Sequence, residues 1–70
     1  MQIIAASAAA ATIALDADEI LALHNALNEV CNALDLPEFE TRMGVGRAEA
    51  LALLSEFGEL IRRMESRDES

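Results

Sequence analysis

The chain has 70 residues, of which 53% are hydrophobic, and a net charge of −8 from 13 acidic residues and five Arg. One domain at most fits this length, and such a chain buries only about 60% of the surface its unfolded form exposes. One Cys rules out an internal disulfide, and one His with one Cys is too few for a closed four-ligand zinc site.

No metal or other cofactor is therefore expected, and oligomerisation or partner binding remains as the source of added stability. The mean hydropathy of +0.22 argues against a disordered acidic tail, although much of the apolar content is Ala. Lys is absent and no Arg precedes Arg42. Direct nucleic-acid binding draws its affinity from neutralised phosphates and stacked bases. With this charge, no Trp or Tyr and two Phe, it is not expected. An acidic chain is steered instead toward a basic partner, or the charge serves solubility alone. Residues Ile3 to Leu15 lack the basic n-region of an export signal and fall short of the roughly 20 residues that span a bilayer. A cytoplasmic location without membrane contact is the expectation.

Residues 1–15 admit two structures. Ala favours helix, which would extend the next helix backwards into an all-α fold. However, Asp16-Ala17-Asp18-Glu19 is a helix start, with Asp16 and Glu19 spaced as a capping box. The residues before it then need another conformation. Ile3, Ile4, Thr12 and Ile13 are β-branched and bracket Ser7-Ala8-Ala9-Ala10, so a β-hairpin is expected, with strands near 2–6 and 11–15. The Ala-rich link lacks the Asn-Gly or Asp-Gly of a tight turn. A lone hairpin is not stable and must pack on helices or on a second copy.

A first helix is expected from Ala17 to Leu34, within 16–35. Ile20, Leu23, Leu27, Val30 and Leu34 form its apolar stripe. Leu36-Pro37 ends it. A short turn of helix comes next over Pro37 to Met43, closed by Gly44 at positive φ, with 36–46 as the connecting segment. The last helix is expected from Arg47 to Arg67, after Gly46 as N-cap. Its broad apolar side holds Ala50, Leu53, Leu54, Phe57, Leu60, Ile61 and Met64. Gly58 interrupts that helix, which suggests a kink or close approach by another backbone. A polar tail at 68–70 completes a single α+β domain of order ββαα.

Ala26-Leu27-Asn28-Glu29-Val30-Cys31-Asn32 followed by Phe39-Glu40-Thr41-Arg42-Met43-Gly44-Val45 resembles a pattern in small bacterial proteins of uncharacterised activity. In those a short hairpin precedes helices, and a stretch like Arg47-Ala48-Glu49-Ala50-Leu51 opens the last one. The resemblance covers roughly residues 12–54 and implies the order strand, strand, helix, helix. In size, acidity and architecture the chain is also similar to bacterial immunity proteins and antitoxins.

The candidate interaction or structural residues are His24, Asn25, Asn28, Glu29, Cys31, Asn32 and Arg42. His24 and Cys31 share a helix face, but seven residues separate them by about 10.5 Å along the axis. A nucleophile and its base must lie about 3 Å apart, so no catalytic dyad forms within one chain. Cys31 then reads as a small core or interface residue, and His24 as an edge residue with a satisfied hydrogen bond. Asn25, Asn28, Glu29 and Asn32 form a polar face. That face is solvated, or used at an interface, or its Asn28 or Asn32 bonds to the Phe39–Gly44 segment. Arg42 is expected to make an internal salt bridge or to cap carbonyls. Gly44-Val45-Gly46 before a helix offers a weak phosphate cradle, opposed by Glu38, Glu40 and Glu49. The resulting expectation is a protein-binding module and not an enzyme, with a basic protein as the partner that the charge would favour. The alternative is a self-associating homodimer with no heterologous ligand.

Overall fold

The computed structural model describes residues 1–68. Strands β1 (Gln2–Ala6) and β2 (Ala11–Ala14) pair antiparallel as a two-stranded sheet, and helices come after them. The fold is thus α+β of order ββαα, and the all-α alternative does not hold. Gln2 pairs with Ala14, Ile3 with Ile13, Ala5 with Thr12 and Ala6 with Ala11, with a bulge between Ile3 and Ala5. In place of Asn-Gly, Ser7 organises the turn. Its amide donates to the Ala10 carbonyl at 2.8 Å, and its hydroxyl accepts from the amides of Ala9 and Ala10 at 3.3 and 3.2 Å. A serine hydroxyl bonding its own local backbone can replace the usual turn pair.

Helix α1 (Ala17–Asn28) starts at the expected capping box. The Glu19 amide donates to Asp16 Oδ1 at 2.8 Å, and the Asp16 amide donates to Glu19 Oε1 at 3.0 Å. The helix does not continue regularly to Leu34. Residues Glu29–Ala33 form a π-helical turn, and the Leu34 amide reaches back five residues to the Glu29 carbonyl at 2.9 Å. The wider turn shifts the angular register of the residues at its end. Cys31 is buried, while Leu34 leaves the expected stripe and is 46% exposed.

Helix α2 is Phe39–Met43, two residues shorter than expected at its start. Glu38 adopts φ 54°, a left-handed conformation that cannot join a right-handed helix. Gly44 ends α2 at φ 82°, its amide donating to the Glu40 carbonyl at 2.8 Å. Helix α3 (Arg47–Asp68) begins where expected, with the Ala50 amide bonded to the Gly46 carbonyl at 3.0 Å. It ends at Asp68, one residue beyond the expected Arg67. Residues 69 and 70 of the expected tail lie outside the described residues.

The helices α1 and α3 pack antiparallel. Ile20 and Leu21 lie against Ile61 and Met64 at one end, His24 sits against Gly58 in the middle, and Cys31 meets Ala50 at the other end. The core is small. Cys31, Phe39 and Ala50 form its cluster, with Val30, Leu36, Met43, Val45 and Leu54 packed around them. Ala50 is fully buried, and its methyl group leaves room for the π turn and Phe39. On α3 the buried and half-buried positions Ala50, Leu54, Phe57, Ile61 and Met64 form one seam. Leu53 and Leu60, expected on the same face, are exposed, as is Leu23 on α1. A single helix pair needs only one seam, so the outer part of each apolar face stays uncovered.

Candidate functional site

The π turn is held from another element. Its last carbonyls have no amide partner within their own helix, and no basic residue lies in its last turn. Arg47, from the first turn of α3, donates from its guanidinium to the Cys31 carbonyl at 2.6 Å. The same guanidinium lies over the Phe39 ring, 4.5 Å from the centroid. A cation at the N-terminus of its own helix is disfavoured by that helix's dipole and favoured at the C-terminal end of another. One side chain thereby ties α1, α2 and α3 together. π turns occur often at functional positions, but this one is closed over by Phe39, and Cys31 is a buried free thiol.

This arrangement assigns to Arg47 the capping role expected of Arg42. Arg42 is exposed and has no ion pair among the described residues. The signal for Arg47 was its place one turn before the buried Ala50, which a linear reading of charge does not weigh.

The amide-rich face is exposed to solvent, the first of the three readings open for it. Asn32 Nδ2 donates to Asn28 Oδ1 at 2.9 Å, one turn apart and exposed. Neither residue reaches the Phe39–Gly44 segment, which Arg47 holds instead. Asn25 and Glu29 are exposed on the same helix. His24 is half-buried, and its Nδ1 is buried with no hydrogen-bond partner, so the expected satisfied bond is not made. A Cβ on Gly58 would stand 3.9 Å from His24 Nε2. The close approach foreseen at Gly58 is therefore that of an imidazole rather than of a backbone. His24 and Cys31 lie at different stations along the helix pair, and no cluster of three His, Cys, Asp or Glu able to hold a metal occurs among the described residues.

Charge is segregated along the chain. Residues 1–15 carry no ionisable side chain, and all 13 acidic residues lie beyond them. Among the described residues only Glu19 and Glu59 have ionic partners. Glu19 pairs with the Met1 amine, and Glu59 with Arg62 and Arg63. The Met1 ammonium and the Asp16 amide hold the Glu19 carboxyl below the usual carboxylate range. Asp18, Glu29, Asp35, Glu38, Glu40, Glu49 and Glu56 are exposed with no ionic partner among the described residues.

A half-open cleft of about 190 Å³ lies between the start of α1 and the end of α3, lined by Ala17, Ile20, Leu21, Ile61 and Met64 with Asp18 and Glu65 at its sides. No helix among the described residues is long and apolar enough to cross a membrane. No protein-family model, curated protein or solved structure matches this chain.

Proposed function

We propose that this chain is a small acidic protein-binding module that acts by contact and not by catalysis, in the manner of an immunity protein or antitoxin. The observation that carries this reading is the unneutralised acid of the helical body. Carboxylates that already have internal partners offer little to a ligand. Exposed ones without ionic partners among the described residues, among them Asp18, Glu29, Asp35, Glu38, Glu40, Glu49 and Glu56, project a negative field that attracts a basic protein surface and speeds its encounter. The amide face of Asn25, Asn28 and Asn32 around Glu29 adds neutral donors and acceptors beside the charge.

The test is association with the protein encoded next to this one, followed at low and high ionic strength. The on-rate should fall steeply with salt, since screening shortens the reach of the field to about 8 Å at physiological ionic strength. Glu29→Lys should slow association further while the helical circular dichroism stays unchanged. Association indifferent to both salt and Glu29→Lys would overturn this reading.

A further inference from the structure

We propose that the β1–β2 hairpin is the contact through which two copies of this chain associate. The hairpin lacks cover of its own. Every residue from Met1 to Ala14 is exposed, including Ile3 at 66%, Ile4 at 61% and Ile13 at 43%. A two-stranded hairpin is marginal in water unless a third strand or another surface covers it, and here neither face is covered by the helices.

The strand edges carry none of the Lys, Pro or inward charges that blunt natural sheet edges; what limits pairing there is their short length and the bulge in β1. The bulge between Ile3 and Ala5 sets two residues of β1 against one of β2. It relaxes the strict alternation of faces along β1 beside the paired Ile3 and Ile13.

Area gives the scale. The chain exposes 5464 Å², whereas a compact monomer of this mass exposes about 4,200 Å². Its radius of gyration is 13.9 Å, against about 11 Å for a compact chain of this length. The excess of roughly 1,200 Å² is shared between the hairpin, with Ile3, Ile4 and Ile13, and the exposed leucines of the helical body.

Charge decides the occupant. A basic partner would gain no ion pair from residues 1–15, which carry no charged side chain. A second copy bears the same charge of −8 and is repelled from the helical body, but it meets no side-chain charge at the hairpin. The neutral hairpin is where two such chains can touch, and a two-fold axis places the same apolar patch on both sides. This contact is separate from the acidic helical face and stands whether or not that face binds a basic protein.

The experiment is solution mass by light scattering from about 100 μM to about 1 μM, a range that spans moderate affinities. The wild type should be a dimer at the upper concentration. Ile13→Glu should raise the dissociation constant at least ~30-fold, as loss of a central apolar anchor does, with helical circular dichroism retained. Leu53→Glu, on the exposed side of α3, should leave the dimer intact. Isotope-filtered NOEs between labelled and unlabelled wild-type chains should connect Ile3 and Ile13 methyl groups across the dimer, whatever the folding of the variants. A wild type monomeric at 100 μM would overturn the proposal. So would a dimer unaffected by Ile13→Glu, one broken by Leu53→Glu, or one whose cross-chain NOEs arise only from helix methyls.

Discussion

The hairpin and the helical body are ordered by different means. In the body, side chains from distant positions converge. Cys31, Phe39 and Ala50 share one cluster, and Arg47 bonds the Cys31 carbonyl from sixteen residues away. In the hairpin, order comes from the backbone ladder, the Ser7 hydroxyl in the turn and the ion pair from Met1 to Glu19. The body can lose surface substitutions and keep its shape. The hairpin has no core of its own, so substitutions there should be felt through whatever covers it. This difference teaches that stability and association are encoded in separate stretches of one short chain.

The contrast is broken most severely from within the body. Phe39→Ala should cost about 3–5 kcal/mol, the usual range for emptying an aromatic core site, and it also removes the ring under Arg47. For a domain this small that is a large part of its stability, so urea unfolding should begin at or near zero denaturant. A midpoint displaced by a few tenths of a molar would show that the body does not depend on this cluster.

Arg47→Met comes next, at about 1.5 kcal/mol, the low end for a hydrogen bond made by a charged group, because Arg47 is itself exposed and its bond to the Cys31 carbonyl only partly buried. Met keeps much of the apolar stem, so the loss isolates the bond to Cys31 and the stacking on Phe39. Arg42→Met should change stability by less than about 0.5 kcal/mol, as exposed substitutions do. Equal effects at the two arginines would refute the assignment of the cap to Arg47.

Legibility in the sequence divides along the same line. The Asp16–Glu19 capping box, the Gly44 stop and the β-branched strands are local signals acting over at most a few residues, and each appears in the fold where expected. The π turn was not legible, because an α-helix over the same residues satisfies the same apolar spacing. What distinguishes them is the outside support that Arg47 and Phe39 give to Cys31. The exposure of Leu23, Leu34, Leu53 and Leu60 was hidden for a related reason. Periodicity shows which residues share a face, not how much of that face a partner covers. Among the candidate residues, Cys31 could be placed from its polarity and position, whereas the partnerless Nδ1 of His24 depends on a helix more than thirty residues away.

Gly58 sharpens the contrast in the stabilising direction. A Cβ there would meet His24 Nε2 at 3.9 Å, an ordinary van der Waals distance. Gly58→Ala should therefore raise stability by about 0.5–1 kcal/mol through the lower backbone entropy of the unfolded chain. The proposed dimer should be untouched, because its contact lies on the hairpin. A destabilised or monomeric Gly58→Ala chain would mean that another backbone approaches α3 at this point.

The smallest expected effect lies where the two regions join. Met1, the residue before β1, donates to the Glu19 carboxylate, which also accepts from the Asp16 amide that opens α1. Both contacts lower the carboxyl's folded pKa below its ordinary value of 4.5. A lowered folded pKa means that the contribution is complete above the unfolded value and is lost as pH falls through the folded one. Acidification from pH 6 should therefore leave the tether intact until pH drops below about 4.5. It should then release the Met1 end of the hairpin before the helical body unfolds. Because Glu19 is solvent-accessible, the change in stability should be small. A carboxyl-carbon NMR titration should place the Glu19 midpoint below those of carboxylates without such donors. Glu19→Gln should flatten the hairpin's response over the same window while α1 keeps its start, since Gln can complete the same capping box. If the Ile3 and Ile13 methyl signals shift with the same midpoint as Glu19 in the wild type, and not in Glu19→Gln, the ion pair is the hinge between a hairpin without a core and a helical body that has one.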